Sequence, residues 1–332
     1  MRRLPVFLLI DTSESMVGDT IEALYSGMGQ LLGALRKDPQ TLEIGALSVL
    51  TFGASAEVAL PLTAVQDVML PRLDLSSGTS LGAAFDRLVG EIDANVVKST
   101  AERRGDYRPI VFLITDGQPT DDWRPAVARF RKAQPSVPIH AIGCGEDVDF
   151  SVLKEITPNT YFMREMDAAA FGKLFACVSA SVRSVTDSAL NGGIPKDDLA
   201  EWAGGALRKP TAEECRPQTE LRQVFLPIVC SSTKKDYLLR FRLDDSGRYY
   251  CAAAHKLEHP MPGASGAAQT INTSRLGNPL DCPYCGNPGV AKCGCGTLSC
   301  HSMSTREFRC PQCGKVGILG GGRSFDLNRS NG

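Results

Sequence analysis

The run Pro5-Val6-Phe7-Leu8-Leu9-Ile10 carries no charged or hydrogen-bonding side chain and stops on Asp11. Side chains of a strand point alternately to opposite faces, so a run this apolar needs cover on both, as in the middle of a parallel sheet flanked by helices. The segment 110–114 repeats the pattern and ends on Thr115-Asp116-Gly117. Apolar residues fall at helical spacing over 21–35, 81–92, 123–133 and 168–182, with a short helix near Val152. Strand signals at 42–52, 57–62, 137–142 and 161–163 alternate with them. This alternation predicts an α/β fold, a doubly wound and mainly parallel sheet with right-handed crossovers.

A chain of 332 residues exceeds the usual size of one domain. The α/β pattern is assigned to 1–186. Asn191-Gly192-Gly193, Gly204-Gly205 and Pro210 then interrupt any periodicity, so 187–217 reads as a linker with a short helix around 198–202. In 218–332 paired strands are expected at 224–230 and 237–243, a loop over 260–270, and a frayed tail after Gly320-Gly321-Gly322. This second region reads as a small β-rich metal-binding domain.

The net charge of −1 gives no bulk electrostatic case for nucleic acid or an anionic membrane. Arg2-Arg3 before the apolar run imitates the start of a signal peptide, but Asp11 cuts it short and no small-residue cleavage site follows. No other stretch is expected to cross a bilayer, and the cytoplasm is the expected compartment. The twelve cysteines fit that reading: seven crowd into 282–313, as metal ligands do, while Cys144, Cys177, Cys215, Cys230 and Cys251 stand singly. Cys144 and Cys177 read as small buried hydrophobes and His140 as a residue of core or surface.

In an open parallel sheet, ligands bind at the carboxyl ends of strands where the strand order reverses. Two strands here end in acidic, hydroxyl-rich turns, Asp11-Thr12-Ser13-Glu14-Ser15 and Thr115-Asp116-Gly117, and Ser76-Ser77-Gly78-Thr79-Ser80 lies between them in sequence. Each piece alone has a plain structural use: Ser15 or Asp19 starting a helix, Thr79 or Ser80 capping one, Thr-Asp-Gly making a turn. Together, in this order and at strand ends, they suit a hard cation such as Mg²⁺, which takes oxygen ligands at roughly 2.0–2.1 Å.

The combination resembles the von Willebrand factor A (vWA) family, whose metal ion-dependent adhesion site uses an Asp-x-Ser-x-Ser motif, a separate threonine and a separate aspartate. The resemblance assigns Asp11, Ser13 and Ser15 to the motif, Thr79 to the threonine and Asp116 to the distal carboxylate, around Mg²⁺ (or Mn²⁺). It implies one open coordination position, completed by a partner's Glu or Asp. Glu14 stands where the family has Gly or another small residue. Its side chain either faces away or adds charge near the ion. Arg3 through Ser13, the stretch Val96-Val97-Lys98-Ser99-Thr100-Ala101 and Tyr107-Arg108-Pro109 are similar to the TerY branch of the family. That branch implies a setting of tellurium resistance and stress response beside a 2C-type protein phosphatase and a protein kinase.

Cys282-Pro283-Tyr284-Cys285-Gly286 and Cys310-Pro311-Gln312-Cys313-Gly314 are two C-P-x-C-G knuckles, each able to grip zinc with two thiolates behind a glycine turn. Their duplication pairs Cys282, Cys285, Cys310 and Cys313 around one Zn²⁺. Cys293, Cys295, Cys300 and His301 form the candidate second site. Adjacent Cys300 and His301 point opposite ways on a strand, so Cys251, His255 or His259 replaces His301, or one ion binds and the inner cysteines are structural. The favoured function is a non-enzymatic adaptor that binds proteins, with no nucleic acid and no membrane. The alternatives are a Mg²⁺-dependent phosphohydrolase using Asp11, Asp116 and Asp121, and a RING-like ubiquitin-transfer module.

Overall fold

The first strand serves two cores at once. In the computed structural model, which describes residues 2–191, 199, 205–218, 221–257, 269–320 and 324–329, strand β1 (Leu4–Asp11) is buried at every position. Leu4, Val6, Leu8 and Ile10 enter one apolar cluster, Phe7 and Leu9 the other. The chain divides into two units, Met1–Thr219 and Glu220–Gly332.

In the first unit β1 is followed by α1 (Asp19–Lys37), α2 (Pro39–Ile44), β2 (Gly45–Phe52), β3 (Ala56–Ala64), α3 (Leu81–Asn95), β4 (Ile110–Thr115), α4 (Arg124–Ala133), β5 (Ile139–Cys144), α5 (Phe150–Ile156), β6 (Thr160–Met163) and α6 (Ala168–Asn191). The sheet order is β3-β2-β1-β4-β5-β6. All neighbours are parallel except β2 and β3. α1, α2 and α6 cover one face, and α3, α4 and α5 the other. The doubly wound α/β fold expected from the apolar runs is therefore present. Strand order reverses at β1, so the crevice for a ligand lies beyond the carboxyl ends of β1 and β4.

Three local expectations fail for identifiable reasons. Residues 42–44, expected to open a strand, belong instead to helix α2, because the Asp38 side chain accepts the Thr41 N–H and Pro39 occupies the first turn. α6 runs on to Asn191 and, by length and composition, is long and apolar enough to cross a membrane, against the expectation that no such segment exists. Its buried stripe of Phe171, Leu174, Phe175, Val178 and Val182 lies in the sheet-covering core. It meets α1 so closely that a Cβ on Gly27 would sit 2.6 Å from the Phe175 ring. Parts of the expected linker 187–217 pack into the first unit. Leu199 and Leu207 are buried in its core, and Arg208 exchanges two backbone hydrogen bonds with Phe162 at 2.7 and 3.1 Å. Of the helix expected at 198–202, only Leu199 lies within the described residues.

The second unit is a set of short strands: β7 (Gln223–Val229), β8 (Asp236–Leu243), β9 (Tyr249–Lys256), β10 (Gln269–Asn272), β11 (Gly289–Lys292), β12 (Leu298–His301), β13 (Glu307–Arg309), β14 (Val316–Ile318) and β15 (Asp326–Arg329). Five of them form one sheet in the order β11-β12-β7-β8-β9, while β10 pairs with β15 and β13 with β14. The expected pairing of the first two strands is found as β7–β8. Within the tail expected to fray, the described residues 324–329 include β15, which pairs antiparallel to β10 and buries Leu327. The loop expected over 260–270 runs into β10 at its end; residues 260–268 lie outside the described residues. Cys230, Cys282 and Cys300 share the core with Val224, Leu226, Ile228, Tyr237 and Phe241.

Candidate metal centres

Asp11 closes β1 and is fully buried. One carboxylate oxygen accepts the Ser13 N–H at 2.9 Å and the other accepts the Thr115 hydroxyl at 2.5 Å. The Ser13 and Ser15 hydroxyls lie 2.9 Å apart, and Ser15 Oγ donates to Asp116 Oδ1 at 2.6 Å. Asp11, Ser13, Ser15 and Asp116, four of the residues singled out in the sequence, thus form one continuous polar chain across the ends of β1 and β4. None is more than 2% exposed. Thr115, read only as part of a turn, is a member of that chain.

The fifth residue, Thr79, comes from the loop before α3, which is tied down on both sides. Ser76 N–H donates to the Thr12 carbonyl at 2.9 Å, and Gly78 N–H to a Glu14 carboxylate oxygen at 2.7 Å. Gly78 has φ 84°, a conformation that favours glycine. Thr79 N–H donates to Thr120 Oγ1 at 3.0 Å, and Thr120 N–H returns to the Thr79 carbonyl at 2.9 Å. Asp121 accepts the Gly82 and Ala83 N–H groups at 3.0 Å each, capping α3 in place of Ser80, whose hydroxyl donates to the Ala54 carbonyl. The Thr79 backbone is satisfied, yet its buried hydroxyl has no hydrogen-bond partner among the described residues. An unpaired buried hydroxyl costs about 1–3 kcal/mol, and an oxygen of this kind is a donor that a hard cation would satisfy.

Glu14 does not face away. It lies in a single 3-10 turn (Glu14–Met16) and is 1% exposed. Burial drives the Asp11 carboxyl upward; Ser13 and Thr115 hydrogen bonds oppose this, the Glu14 charge adds to it, and the group ends at about 6. Burial, then Asp116 and Asp11, push the Cys144 thiol well above its ordinary range, so it stays protonated beneath the site. The donors available are hard oxygens, which fit Mg²⁺ or Mn²⁺.

The second unit holds two groups of four sulfurs, each within 4.8 Å of one another: Cys230, Cys282, Cys285 and Cys300, and Cys293, Cys295, Cys310 and Cys313. Sulfur separations of 3.5 Å (Cys285–Cys300), 3.6 Å (Cys293–Cys313) and 3.7 Å (Cys295–Cys310) approach the roughly 3.8 Å edge of a tetrahedron with Zn–S bonds of about 2.3 Å. Two four-thiol clusters can each hold one zinc ion. The two knuckles do not share one, contrary to the sequence pairing: Cys282 and Cys285 join Cys230 and Cys300, while Cys310 and Cys313 join Cys293 and Cys295. Strand alternation explains the loss of His301. Cys300 faces its cluster, whereas His301 Nε2 lies 2.7 Å from the Thr305 carbonyl and its ring packs edge-on to Phe308. Cys251 and His255 belong to neither cluster, and His259 lies outside the described residues.

Cys230 was missed, although its turn copies a knuckle. Lys234 N–H reaches the Cys230 carbonyl at 3.0 Å and Cys230 N–H the Lys235 carbonyl at 2.8 Å; Gly286 and Asn287 do the same for Cys282 at 2.9 Å each. Thr233 stands where the second cysteine would be, and Lys234 takes the positive φ of 62° that Gly286 and Gly314 take elsewhere. Burial raises the Cys230 thiol, but hydrogen bonds from Thr233 and Ser232 bring it down to about 6; the Thr297 hydroxyl likewise brings Cys295 to about 6. Their cluster neighbours Cys282 and Cys293 are pushed up to about 12, so within each cluster one thiol gives up its proton more readily than another.

Residues 6–176 match the von Willebrand factor type A domain, and residues 221–332 match the TerY-C metal binding domain. The first match covers more than half of the chain, which belongs to the von Willebrand factor type A family. Its second unit is a TerY-C metal binding domain. Among solved structures it is similar to a von Willebrand factor type A protein from Catenulispora acidiphila, 18% identical, covering 55% of this chain and 43% of that one, with a TM-score of 0.42. It is also similar to proximal thread matrix protein 1 of the mussel byssus, 19% identical, covering 54% and 48%, with a TM-score of 0.41. That protein has also been solved with a zinc-occupied MIDAS motif. The chain spans about half the length of these structures. No curated protein matches it.

Proposed function

We propose that the chain is a non-enzymatic adaptor that grips an acidic side chain of a partner protein through a divalent cation held by Asp11, Ser13, Ser15, Thr79 and Asp116. The observation that carries this reading is the buried Thr79 hydroxyl left without a hydrogen-bond partner beside a linked chain of carboxylates and serines. Mg²⁺ or Mn²⁺ would supply an electrophilic centre for the incoming carboxylate. The chain's own residues orient it: Thr120 and Glu14 fix the Thr79 loop, and Thr115 holds the Asp11 carboxylate in place.

By family analogy the partners are a 2C-type protein phosphatase and a protein kinase in a cytoplasmic complex serving tellurium resistance or stress response, and the zinc domain offers a second docking surface. A phosphohydrolase built on Asp121 is disfavoured, because both Asp121 oxygens are engaged by the first turn of α3. A RING-like module is disfavoured by ligand order. The first cluster takes the first, second, third and sixth of the eight cysteines in sequence, rather than alternating pairs.

The test is recovery of partners from native cells by wild type, Asp11→Ala and Ser13→Ala, each in Mg²⁺ or EDTA. A protein retained by wild type in Mg²⁺ and lost in the other conditions is the expected result. Equal recovery throughout would sink the cation-bridged mechanism.

A further inference from the structure

The cysteines of the two clusters are not equally protected. In the first cluster Cys230, Cys282 and Cys300 are buried and Cys285 is half-buried; in the second, Cys293 and Cys310 are buried while Cys295 and Cys313 are exposed. Each exposed sulfur is backed by a buried one: Cys295 stands 3.7 Å from Cys310, and Cys313 3.6 Å from Cys293. The hydrogen-bond donors differ in the same direction. Ser231, next to Cys230, and Asn287, just past Cys285, both reach Cys300. Ser231 N–H donates to Cys300 Sγ at 3.2 Å, and its hydroxyl lies 3.3 Å from the same sulfur. Asn287 Nδ2 donates to Ser231 Oγ at 3.2 Å and to Cys300 Sγ at 3.6 Å, which leaves the Ser231 hydroxyl proton for the sulfur. Thr233 N–H donates to Cys230 Sγ at 3.4 Å. Around the second cluster, the side-chain hydroxyl in contact among the described residues is that of Thr297, 3.3 Å from Cys295 Sγ.

Cysteines that hold zinc do so as thiolates, and thiolates that are exposed and lie beside a second thiol are the ones that oxidants reach. We propose that the second cluster is an oxidation site that takes a hydroperoxide, and that Ser231 and Asn287 shield the first cluster from the same reaction. The proposal rests on zinc in both clusters and is independent of the cation site in the first domain. The exposed thiolate of Cys295 or Cys313 attacks the terminal oxygen of the hydroperoxide. The O–O bond breaks, the sulfur becomes a sulfenic acid, and the alkoxide leaves and takes a proton from water. The buried thiolate behind it, Cys310 or Cys293, then attacks that sulfur. An S–S bond forms, the S–O bond breaks, and hydroxide leaves to become water. The two thiolates lose a pair of electrons, which the hydroperoxide gains in becoming an alcohol and water. The disulfide takes two ligands from the cluster, and its ion passes to solvent. The change stays local. The turn of Cys310 and Cys313 is the loop of the β13–β14 hairpin, closed by Cys310 N–H to the Lys315 carbonyl at 2.9 Å. Phe308 of β13 shares a small apolar cluster with Cys293 and Cys310. Oxidation therefore reshapes this hairpin and leaves the five-stranded sheet, which Cys230 and Cys300 hold, in place.

The experiment treats the zinc-loaded full chain with cumene hydroperoxide, beside an untreated sample. Released zinc is followed with a fluorescent indicator, strand content by circular dichroism, and new disulfides by peptide mapping. Wild type is compared with Ser231→Ala and with Ser231→Ala/Asn287→Ala; the single variant keeps the Ser231 N–H donor and serves if the double variant does not fold. Wild type is expected to release one zinc ion, with disulfides joining Cys295 to Cys310 or Cys293 to Cys313, and to release the other about tenfold more slowly. A thiol reductant with added zinc is expected to restore the starting content. Both variants are expected to release the first ion at the wild-type rate and the second several-fold faster. Loss of both ions at one rate, first disulfides among Cys230, Cys282, Cys285 and Cys300, or no release beyond the untreated sample overturns the oxidation site. Equal retention of the second ion by wild type and the variants overturns the shielding role of Ser231 and Asn287.

Discussion

Removing zinc with a chelator under reducing conditions is expected to unfold the second domain and leave the first folded. Cys230, Cys282 and Cys300 are core residues there, and β12, which carries Cys300, meets β7 in register only at Ser299 and Val229. The cluster therefore stitches the two halves of the sheet more firmly than their ladder does. Structural zinc contributes apparent binding energies of about 10–16 kcal/mol in small domains, as large as the whole stability of an ordinary domain at about 5–15 kcal/mol. The two clusters should part company on the way. Cys295 and Cys313 are exposed, whereas Cys230, Cys282 and Cys300 are buried, so a chelator reaches the second cluster first. Wild type is expected to carry two zinc ions per chain by elemental analysis, Cys313→Ser one with the five-stranded sheet retained, and Cys300→Ser to lose that sheet. Zinc content measured against circular dichroism during chelation checks this; a strand signal and melting transition that survive full removal of zinc would contradict it.

The second large effect concerns pH. In EDTA the first domain is expected to be more stable at pH 5 than at pH 7. Asp11 has an ordinary value of 3.8 and sits at about 6 when folded, raised chiefly by burial. A carboxyl whose folded value is the higher one favours folding when protonated. Its contribution is complete below the unfolded value and disappears as pH rises through about 6. The shift corresponds to about 3 kcal/mol at most, at 1.36 kcal/mol per pH unit. Saturating Mg²⁺ should abolish the trend, because the cation neutralises the ionised carboxylate, and Asp11→Asn should remove it in EDTA as well. Melting curves at both pH values with EDTA or Mg²⁺ decide the matter. A wild-type midpoint in EDTA that is flat or rises between pH 5 and 7 would contradict the burial of an unpaired Asp11 charge.

What was legible in the sequence was local. The apolar run ending at Asp11 and its counterpart ending at Thr115 identify strands buried on both faces, and a parallel sheet then puts their ends together. Periodicity placed a hydroxyl-rich loop before a helix, but only the family resemblance singled out Thr79 within it. Residues 42–44 were misread because three apolar-rich positions before a strand look like its beginning, although Asp38-Pro39 was a helix start in plain view. The knuckles were recognised from spacing, but spacing says only which two thiols grip together. Which pairs meet depends on β12 lying beside β7, a tertiary fact. Cys230 escaped for the same reason, its turn having Thr233 and Lys234 where cysteine and glycine mark the others. Glu14, Thr120 and Asp121 find their partners across 64, 41 and 39 residues of chain, a distance no short motif spans.

The most direct test of the cation site is anomalous diffraction from crystals of the full chain grown with Mn²⁺. One Mn²⁺ peak bounded by oxygens of Asp11, Ser13, Ser15, Thr79 and Asp116, with the Thr79 hydroxyl turned to it, is the expected result. A first domain with no peak there at saturating Mn²⁺, or a peak that Thr79 does not face, would contradict it.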